Sequence, residues 1–154
     1  MTSSFQIVLG FYAERCDARA TYVTYLFQDF LQMAIEVADG MAYLSTIKIP
    51  NKIVHCDLAA RNCLVAEPRV IKIADFGMAH ELYQEYYQRG NAGLLPVRWM
   101  APESLSTGKF SVASDVWSFG VVLWEMLTFG EIPFTGMNPD VVMLHIKNGG
   151  VLSR

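Results

Sequence analysis

The sequence predicts an α+β fold in which a short β-hairpin is set into a mainly helical chain. Two β-rich runs, residues 62–66 and 70–74, flank a tripeptide that contains Pro68, and a rigid proline between two such runs is typical of a hairpin turn. On both sides of the hairpin, apolar residues recur at intervals of three and four, which is the spacing of helices. A length of 154 residues suits one domain.

The first helix is predicted to begin at Asp29, as an N-cap, and to run to about Ser45. We expect its polar residues Gln32, Glu36 and Asp39 to face outward. Its inward residues repeat at three and four positions and are Leu31, Ala34, Ile35, Ala38, Met41 and Ala42.

Two further helices are predicted after the hairpin. One is expected to be capped by Ser114 and to end at Gly130, and because it is apolar on most faces it belongs in the core. The other is expected to start at Asn138 or Pro139 and to end at about Lys147. Before the first helix, residues 5–10 and 21–27 are predicted to be strands.

The hairpin carries three residues suited to phosphoryl transfer. Its open end would bring Asn62 close to Asp75, and Asp57 lies five residues before Asn62. A magnesium-bound triphosphate needs oxygen ligands for the metal and a carboxylate facing the incoming hydroxyl. The spacing therefore predicts a site that handles a metal and a phosphate.

Two motifs resemble those of protein kinases. Residues 55–62, HCDLAARN, are similar to the catalytic loop, and Asp75-Phe76-Gly77 is similar to the metal-binding DFG. The Ala-Ala-Arg within the loop is typical of tyrosine kinases, and residues 75–105 resemble receptor tyrosine kinases of the insulin-receptor class. The resemblance implies a truncated kinase-like fold, mainly the helical C-terminal lobe, over residues 29–154. Residues 1–28 are then either a remnant of small-lobe strands or unrelated sequence.

The resemblance also implies roles for individual residues. Asp57 would accept or orient the tyrosine proton, Arg61 would position Asp57 and the incoming hydroxyl, and Asn62 and Asp75 would hold Mg²⁺. His55, taken alone, is either a metal ligand, a base or a packed residue, and the resemblance favours the packed role. Structural roles are implied for His55, Phe76, Gly77, Glu103 and Asp115.

Asp115 would cost several kcal/mol if it were buried without a partner. It is therefore expected to accept hydrogen bonds, and the resemblance places the donors in the catalytic-loop backbone. Cys56 departs from the family, which has arginine there to hold the phosphorylated activation loop.

The segment between DFG and residues 101–103, which match the family's APE, is expected to be a mobile loop. Three tyrosines, Tyr83, Tyr86 and Tyr87, have polar neighbours, and the resemblance implies that they are phosphorylated, with equivalence strongest for Tyr86 and Tyr87. The resemblance also implies a platform for the substrate tyrosine, formed by Leu95, Pro96, Val97, Arg98 and Trp99.

Composition restricts the partners. The net charge of −3 argues against a nucleic-acid-binding surface, and Cys16, Cys56 and Cys63 have spacings that suit neither a zinc site nor a disulfide framework. No run approaches the roughly eighteen apolar residues of a membrane span. A receptor parent would act on the cytoplasmic side of the plasma membrane, with its anchor outside this chain. Expected partners are protein substrates with tyrosine and phosphotyrosine-binding adaptors.

The expected function of the parent is transfer of the γ-phosphate of ATP to protein tyrosines, with Mg²⁺. The sequence has no GxGxxG and no recognisable lysine–glutamate pair for the phosphates, so the chain alone is expected to be inactive. The alternatives are a non-catalytic module that presents phosphotyrosines or occupies a partner, and a truncated product with no independent function.

Overall fold

The structure is a computed structural model that describes residues 3–4, 20–47, 52–67, 69–82, 86–88 and 95–153. Within these ranges, helices form most of the regular structure and the strands are short, so the predicted α+β class is confirmed. None of the helices in these ranges combines the length and the apolar character needed to cross a lipid bilayer.

Helix α1 spans Ala20–Thr46 and is longer than predicted. Asp29 lies inside this helix, so its prediction as the N-cap is wrong, and so is the strand predicted for residues 21–27. The β-branched and aromatic residues of that stretch have only a weak local preference for strand, which helical context overrides.

The buried face of α1 is also rotated from the predicted one. Phe30, Met33 and Val37 are buried, whereas Leu31 and Ile35, which were predicted to face inward, are 52% and 44% exposed. Both sets have helical spacing, because the helix is apolar around much of its circumference. The sequence alone therefore did not determine which face of α1 is buried.

The predicted hairpin is present. Strands β3, Cys63–Ala66, and β4, Val70–Ile73, pair antiparallel with Cys63 opposite Ile73, and β1, Ser3–Ser4, pairs with the other edge of β3. A 3₁₀ helix, Ala60–Asn62, leads into β3, and the Ala74 amide donates to the Asn62 carbonyl over 2.8 Å. Pro68, predicted at the turn, is outside the described residues.

Two more strand pairs attach the segment that follows the hairpin to the body of the protein. Strand β2, Ile53–Val54, pairs with β5, His80–Glu81. Strand β6, Tyr87–Gln88, pairs with β7, Lys109–Phe110. The described parts of the predicted mobile loop are therefore held by backbone hydrogen bonds.

The remaining helices are α2, Pro102–Thr107, α3, Val112–Leu127, and α4, Pro139–Lys147. The predicted cap of α3 is wrong, because Ser111 is the N-cap and Ser114 is the third helical residue of the same capping box. The predicted start of α4 is confirmed, since the Asn138 side chain accepts a hydrogen bond from the Val141 amide over 2.9 Å.

Two apolar clusters meet at residues 54–63. The first packs α1 and the hairpin against α3 and contains Phe30, Met33, Val37, Leu58, Ala60, Cys63, Ile71, Val122 and Met126. The second, here called the loop cluster, contains Val54, Cys56, Leu82, Met100 and Phe110. Because this short segment supplies residues to both clusters, its backbone position is fixed from both sides.

Candidate active site

The backbone before Asp57 is held by a buried carboxylate from α3. Asp115 is 4% exposed, and its two carboxylate oxygens accept hydrogen bonds from the amides of His55 over 2.8 Å and Cys56 over 3.0 Å. Burial raises the pKa of Asp115, while these amide hydrogen bonds act in the opposite direction. Both donors are backbone amides of residues 55–62, as predicted for Asp115.

The Asp57 carboxylate is oriented by two neighbours. One oxygen contacts the Arg61 guanidinium, and the other accepts a hydrogen bond from the Asn62 side-chain nitrogen over 2.9 Å. The same nitrogen donates to the Asp57 carbonyl over 2.7 Å. The carboxylate is thus held through both oxygens and is only partly buried, with 14% of the side chain exposed.

Asp75 lies at the open end of the hairpin. It directly follows Ala74, whose amide donates to the Asn62 carbonyl. It has a left-handed backbone, with φ of 61°, and its carboxylate accepts a hydrogen bond from the Gly77 amide over 3.3 Å. Because the side-chain nitrogen of Asn62 donates to Asp57, the amide oxygen of Asn62 is the atom that can coordinate a cation. The hairpin brings this oxygen and the Asp75 carboxylate to the same end.

His55 connects the two loops and is fully buried. Its Nε2 lies 3.1 Å from the Ala74 carbonyl, and its Nδ1 accepts a hydrogen bond from the Asp57 amide over 3.3 Å. Its ring also packs against Phe76, with centroids 5.1 Å apart. Since the carbonyl requires Nε2 to be the donor, both ring nitrogens are used within the protein.

Sequence reasoning missed Glu125. This α3 residue is 1% exposed, and one carboxylate oxygen accepts hydrogen bonds from the Ala60 amide over 2.9 Å and the Trp99 indole over 3.0 Å. Burial raises its pKa, against the effect of these donors and of the Arg61 charge. The signal was available, because an acidic residue within an almost wholly apolar helix needs partners, as Asp115 does.

The carboxylate of Glu125 also affects a neighbouring thiol. Cys63 is fully buried, and its burial, together with the negative charge of Glu125, raises the pKa of the thiol to about 12. The thiol therefore stays protonated at physiological pH and behaves as an apolar core residue.

The predicted platform forms a 3₁₀ helix, Val97–Trp99. The Arg98 guanidinium donates to the carbonyls of Pro133, Phe134 and Met137 over 2.6–2.7 Å, so it binds the following loop. Trp99 lies under the guanidinium of Arg61, 4.3 Å from its ring centroid. Leu95 is 42% exposed, and Pro96 is partly buried.

The predicted phosphorylation sites differ in their surroundings. Tyr86 is 37% exposed, and the Lys109 ammonium lies 4.2 Å from its ring centroid. Tyr87 is half-buried and stacks on His80, with ring centroids 3.7 Å apart. Tyr83 is outside the described residues. Glu103 is exposed in the first turn of α2.

A family model described as protein tyrosine and serine/threonine kinase matches residues 19–154. The chain belongs to this family. Among its relatives are the insulin receptor-related protein of Cavia porcellus, 56% identical over 125 residues, and the insulin-like growth factor 1 receptor of Bos taurus, 55% identical over 125 residues. The insulin-like receptor of Drosophila melanogaster is 56% identical over 124 residues.

Each of these alignments covers 80% of this chain. They cover 9%, 19% and 6% of the three relatives, in the order given, so the chain spans a small part of the length of the receptors that it matches. The recognised resemblance to insulin-class receptor tyrosine kinases is confirmed, as is the kinase-like fold.

Kinases use ATP together with a metal ion, and the donor set here fits such a metal. In the part of the chain that the structure describes, no group of three or more His, Cys, Asp or Glu side chains is arranged to hold a metal. Asn62 and Asp75 offer two oxygen ligands, and Mg²⁺ is commonly held by few protein oxygens, with phosphate oxygens and water completing its shell.

Proposed function

We propose that residues 53–79 supply the catalytic and metal-binding loops of a tyrosine kinase whose parent transfers the γ-phosphate of ATP to tyrosines of other proteins. The observation that carries this proposal is the Asp57 carboxylate, which Arg61 and Asn62 orient at the open end of the hairpin. The insulin-class receptor relatives support tyrosine as the acceptor and a parent receptor that works on the cytoplasmic side of the plasma membrane.

In this mechanism Asp57 accepts the proton of the substrate hydroxyl as its oxygen bonds to the γ-phosphorus, while the bond to ADP breaks. Arg61 holds the carboxylate in position and contributes positive charge beside it. Bound Mg²⁺, held by the Asn62 amide oxygen and the Asp75 carboxylate, would neutralise charge on the phosphate oxygens. Leu95, Pro96 and Val97 would support the substrate near the tyrosine. The phosphorylated tyrosines would then be available to phosphotyrosine-binding adaptors.

The test is a complete kinase domain in which the insulin-like growth factor 1 receptor provides the segments that flank residues 29–154. This domain should phosphorylate a tyrosine peptide, and Asp57→Asn should lower kcat by at least about 100-fold because proton transfer is lost. Asp39→Asn makes the same chemical change at an exposed position on α1 and should leave kcat unchanged. An Asp57→Asn domain that keeps more than about a tenth of the turnover would refute the proposal.

The chain by itself should not show turnover above its own Asp57→Asn variant. Phosphoryl transfer depends on positioning and on electrostatic stabilisation of the phosphates, and the sequence contains no glycine-rich loop to cover them. A rate clearly above that of the variant, in a preparation free of other kinases, would show that the chain builds a nucleotide site by another route.

A further inference from the structure

Trp99 lies at the end of the predicted substrate platform, and helix α3 holds it at two points. The indole nitrogen of Trp99 donates to the carboxylate of Glu125 over 3.0 Å, and Glu125 is buried. The backbone carbonyl of Trp99 accepts a hydrogen bond from the Ser118 hydroxyl over 2.8 Å. Both partners belong to α3, so this one helix fixes the backbone and the ring plane of Trp99.

The fixed ring of Trp99 is the surface on which Arg61 stacks. The guanidinium carbon of Arg61 lies 4.3 Å from the ring centroid, and the same guanidinium contacts the Asp57 carboxylate. Arg61 is exposed, and an arginine side chain that is free in water samples many rotamers. The face of an indole ring attracts a cation, so stacking on Trp99 selects the position from which Arg61 reaches Asp57.

We propose that Trp99 is a positioning residue for phosphoryl transfer, which couples the platform to the orientation of the Asp57 carboxylate through Arg61. The inference rests on the proposed function. Val97, which would support the substrate, and Trp99 belong to the same 3₁₀ helix of three residues. A substrate seated on that helix would therefore bear on the short segment that carries the ring under Arg61. Seating of the substrate and orientation of the carboxylate are linked through neighbouring side chains.

A purely structural role of Trp99 has a different consequence. Loss of packing alone would lower the stability of the protein and its kcat whether or not Arg61 is present. A positioning role acts through Arg61, so the effect of Trp99 on kcat disappears when the guanidinium is removed. Substitution of Trp99 with and without Arg61 therefore distinguishes the two roles.

The first experiment tests the contacts in the full chain and needs no enzymatic activity. In nuclear magnetic resonance of the ¹⁵N-labelled chain, Glu125→Ala should shift the indole N–H resonance of Trp99 and the Nε–H resonance of Arg61 together. Glu125→Gln, which keeps an oxygen that accepts hydrogen bonds, should restore both resonances toward their original positions. Glu131→Ala removes an exposed acid just beyond α3 and should leave both unchanged.

The other two tryptophans of the chain serve as internal references. The Trp124 indole donates to the Ser153 carbonyl over 2.9 Å. The Trp117 indole nitrogen is buried and has no hydrogen-bond partner among the residues that the structure describes. Neither indole contacts Glu125 through a hydrogen bond, so both resonances should stay in place when Glu125 is substituted.

The second experiment measures kinetics in the complete kinase domain described above. Trp99→Phe keeps an aromatic ring but gives up the hydrogen bond to Glu125, and we expect it to lower kcat on a tyrosine peptide about tenfold, since small errors in the position of catalytic groups cost rate on this scale. The KM for ATP should not change. In an Arg61→Ala domain the same substitution should leave kcat unchanged, although urea unfolding should show a loss of stability in both backgrounds.

Two results would overturn the inference. One is an equal fall in kcat on Trp99→Phe with and without Arg61, which would give Trp99 a structural role only. The other is an Arg61 resonance that does not respond to Glu125→Ala while the Trp99 indole resonance shifts. Turnover that survives Asp57→Asn would refute the proposed function alone, and the resonances would still decide whether Trp99 positions Arg61.

Discussion

Glu125 joins the loop that carries Asp57 to the 3₁₀ helix Val97–Trp99 through a single carboxylate oxygen. Its two donors, the Ala60 amide and the Trp99 indole, belong to segments that also meet through the stacking of Arg61 on Trp99. Removal of this side chain would leave the buried Ala60 amide and the partly buried Trp99 indole unpaired, at a cost of up to about 1–3 kcal/mol for each. Glu125 therefore stabilises the position of the residue that orients Asp57.

The raised pKa of Glu125 gives a stability prediction with a definite sign. The folded state holds the proton to a higher pH than the unfolded state, so the contribution of this group is present below its ordinary value of 4.5 and declines as pH rises through the raised folded value. Urea unfolding of the chain and of Glu125→Gln from pH 4 to 7 measures the difference. We expect the stability advantage of Glu125 over Gln to shrink with rising pH, and a constant or growing advantage would contradict this.

Cys56 occupies the position at which the family pattern has arginine. The burial of Cys56 predicts how Cys56→Arg changes the stability of the protein. It is 6% exposed within the loop cluster. Cys56→Arg should therefore lower the free energy of unfolding by at least about 2 kcal/mol when the segment is unphosphorylated, because a charge is brought among apolar side chains. Urea unfolding beside Cys56→Ser, which changes polarity without adding charge, measures this effect.

Phosphorylation should reverse part of that loss, since arginine can then pair with phosphate. A charge-assisted hydrogen bond contributes about 1.5–3 kcal/mol, which corresponds to about a ten- to hundredfold change in a two-state balance. In a complete kinase domain, Cys56→Arg should accordingly increase phosphorylation-dependent activation. Equal activation of both proteins would count against this role of position 56.

The hairpin is attached to α1 by side chains as well as by apolar packing. Glu36 accepts a hydrogen bond from the Ile71 amide over 2.7 Å, and Asp29 pairs with Arg69 over 2.9 Å. The Glu36 contact is partly buried, whereas both members of the ion pair are substantially exposed. The prediction that Glu36 simply faces outward was wrong, because the hairpin covers that side of α1.

Substitution of Glu36 and of Asp29 should distinguish the energy of the partly buried hydrogen bond from that of the exposed ion pair. Glu36→Ala should lower the free energy of unfolding by about 1–3 kcal/mol because it removes a partly buried acceptor. Asp29→Ala should cost less than about 1 kcal/mol, as exposed ion pairs do, and Asp39→Ala serves as an exposed acidic control on the same helix. Chemical denaturation provides all three values. Equal effects at positions 29 and 36 would be inconsistent with this structure.

The elements differ in how far the sequence determined them. The hairpin followed from local signals, namely two β-rich runs around a turn, and α4 followed from Asn138 and Pro139 at its start. The start of α3 was misplaced because Ser111 and Ser114 are both good capping residues. Which face of α1 is buried depends on the elements that pack against it, and the local sequence pattern does not specify those elements.

Across the whole molecule, the candidate site is assembled from segments far apart in the chain. The motifs predicted where Asp57, Asn62 and Asp75 lie relative to the hairpin, because only short local geometry is involved. The contacts that fix the site span longer separations: Asp115 to His55 covers 60 residues, and Glu125 to Ala60 covers 65. Partners of this kind follow from tertiary packing, so the sequence could indicate that a buried acid needs donors without identifying all of them.

The proposed function requires Asn62 and Asp75 to form one metal-binding site beside Asp57. Its most direct test is nuclear magnetic resonance of the ¹⁵N-labelled chain with Mn²⁺, a paramagnetic ion that accepts the same oxygen ligands as Mg²⁺. Substoichiometric Mn²⁺ should broaden the Asn62 side-chain amide and the Gly77 backbone amide together. Asp75→Asn should weaken that effect, and the exposed control Asp140→Asn should not. Broadening that begins at other carboxylates and leaves Asn62 unchanged would rule out a metal site at Asn62 and Asp75.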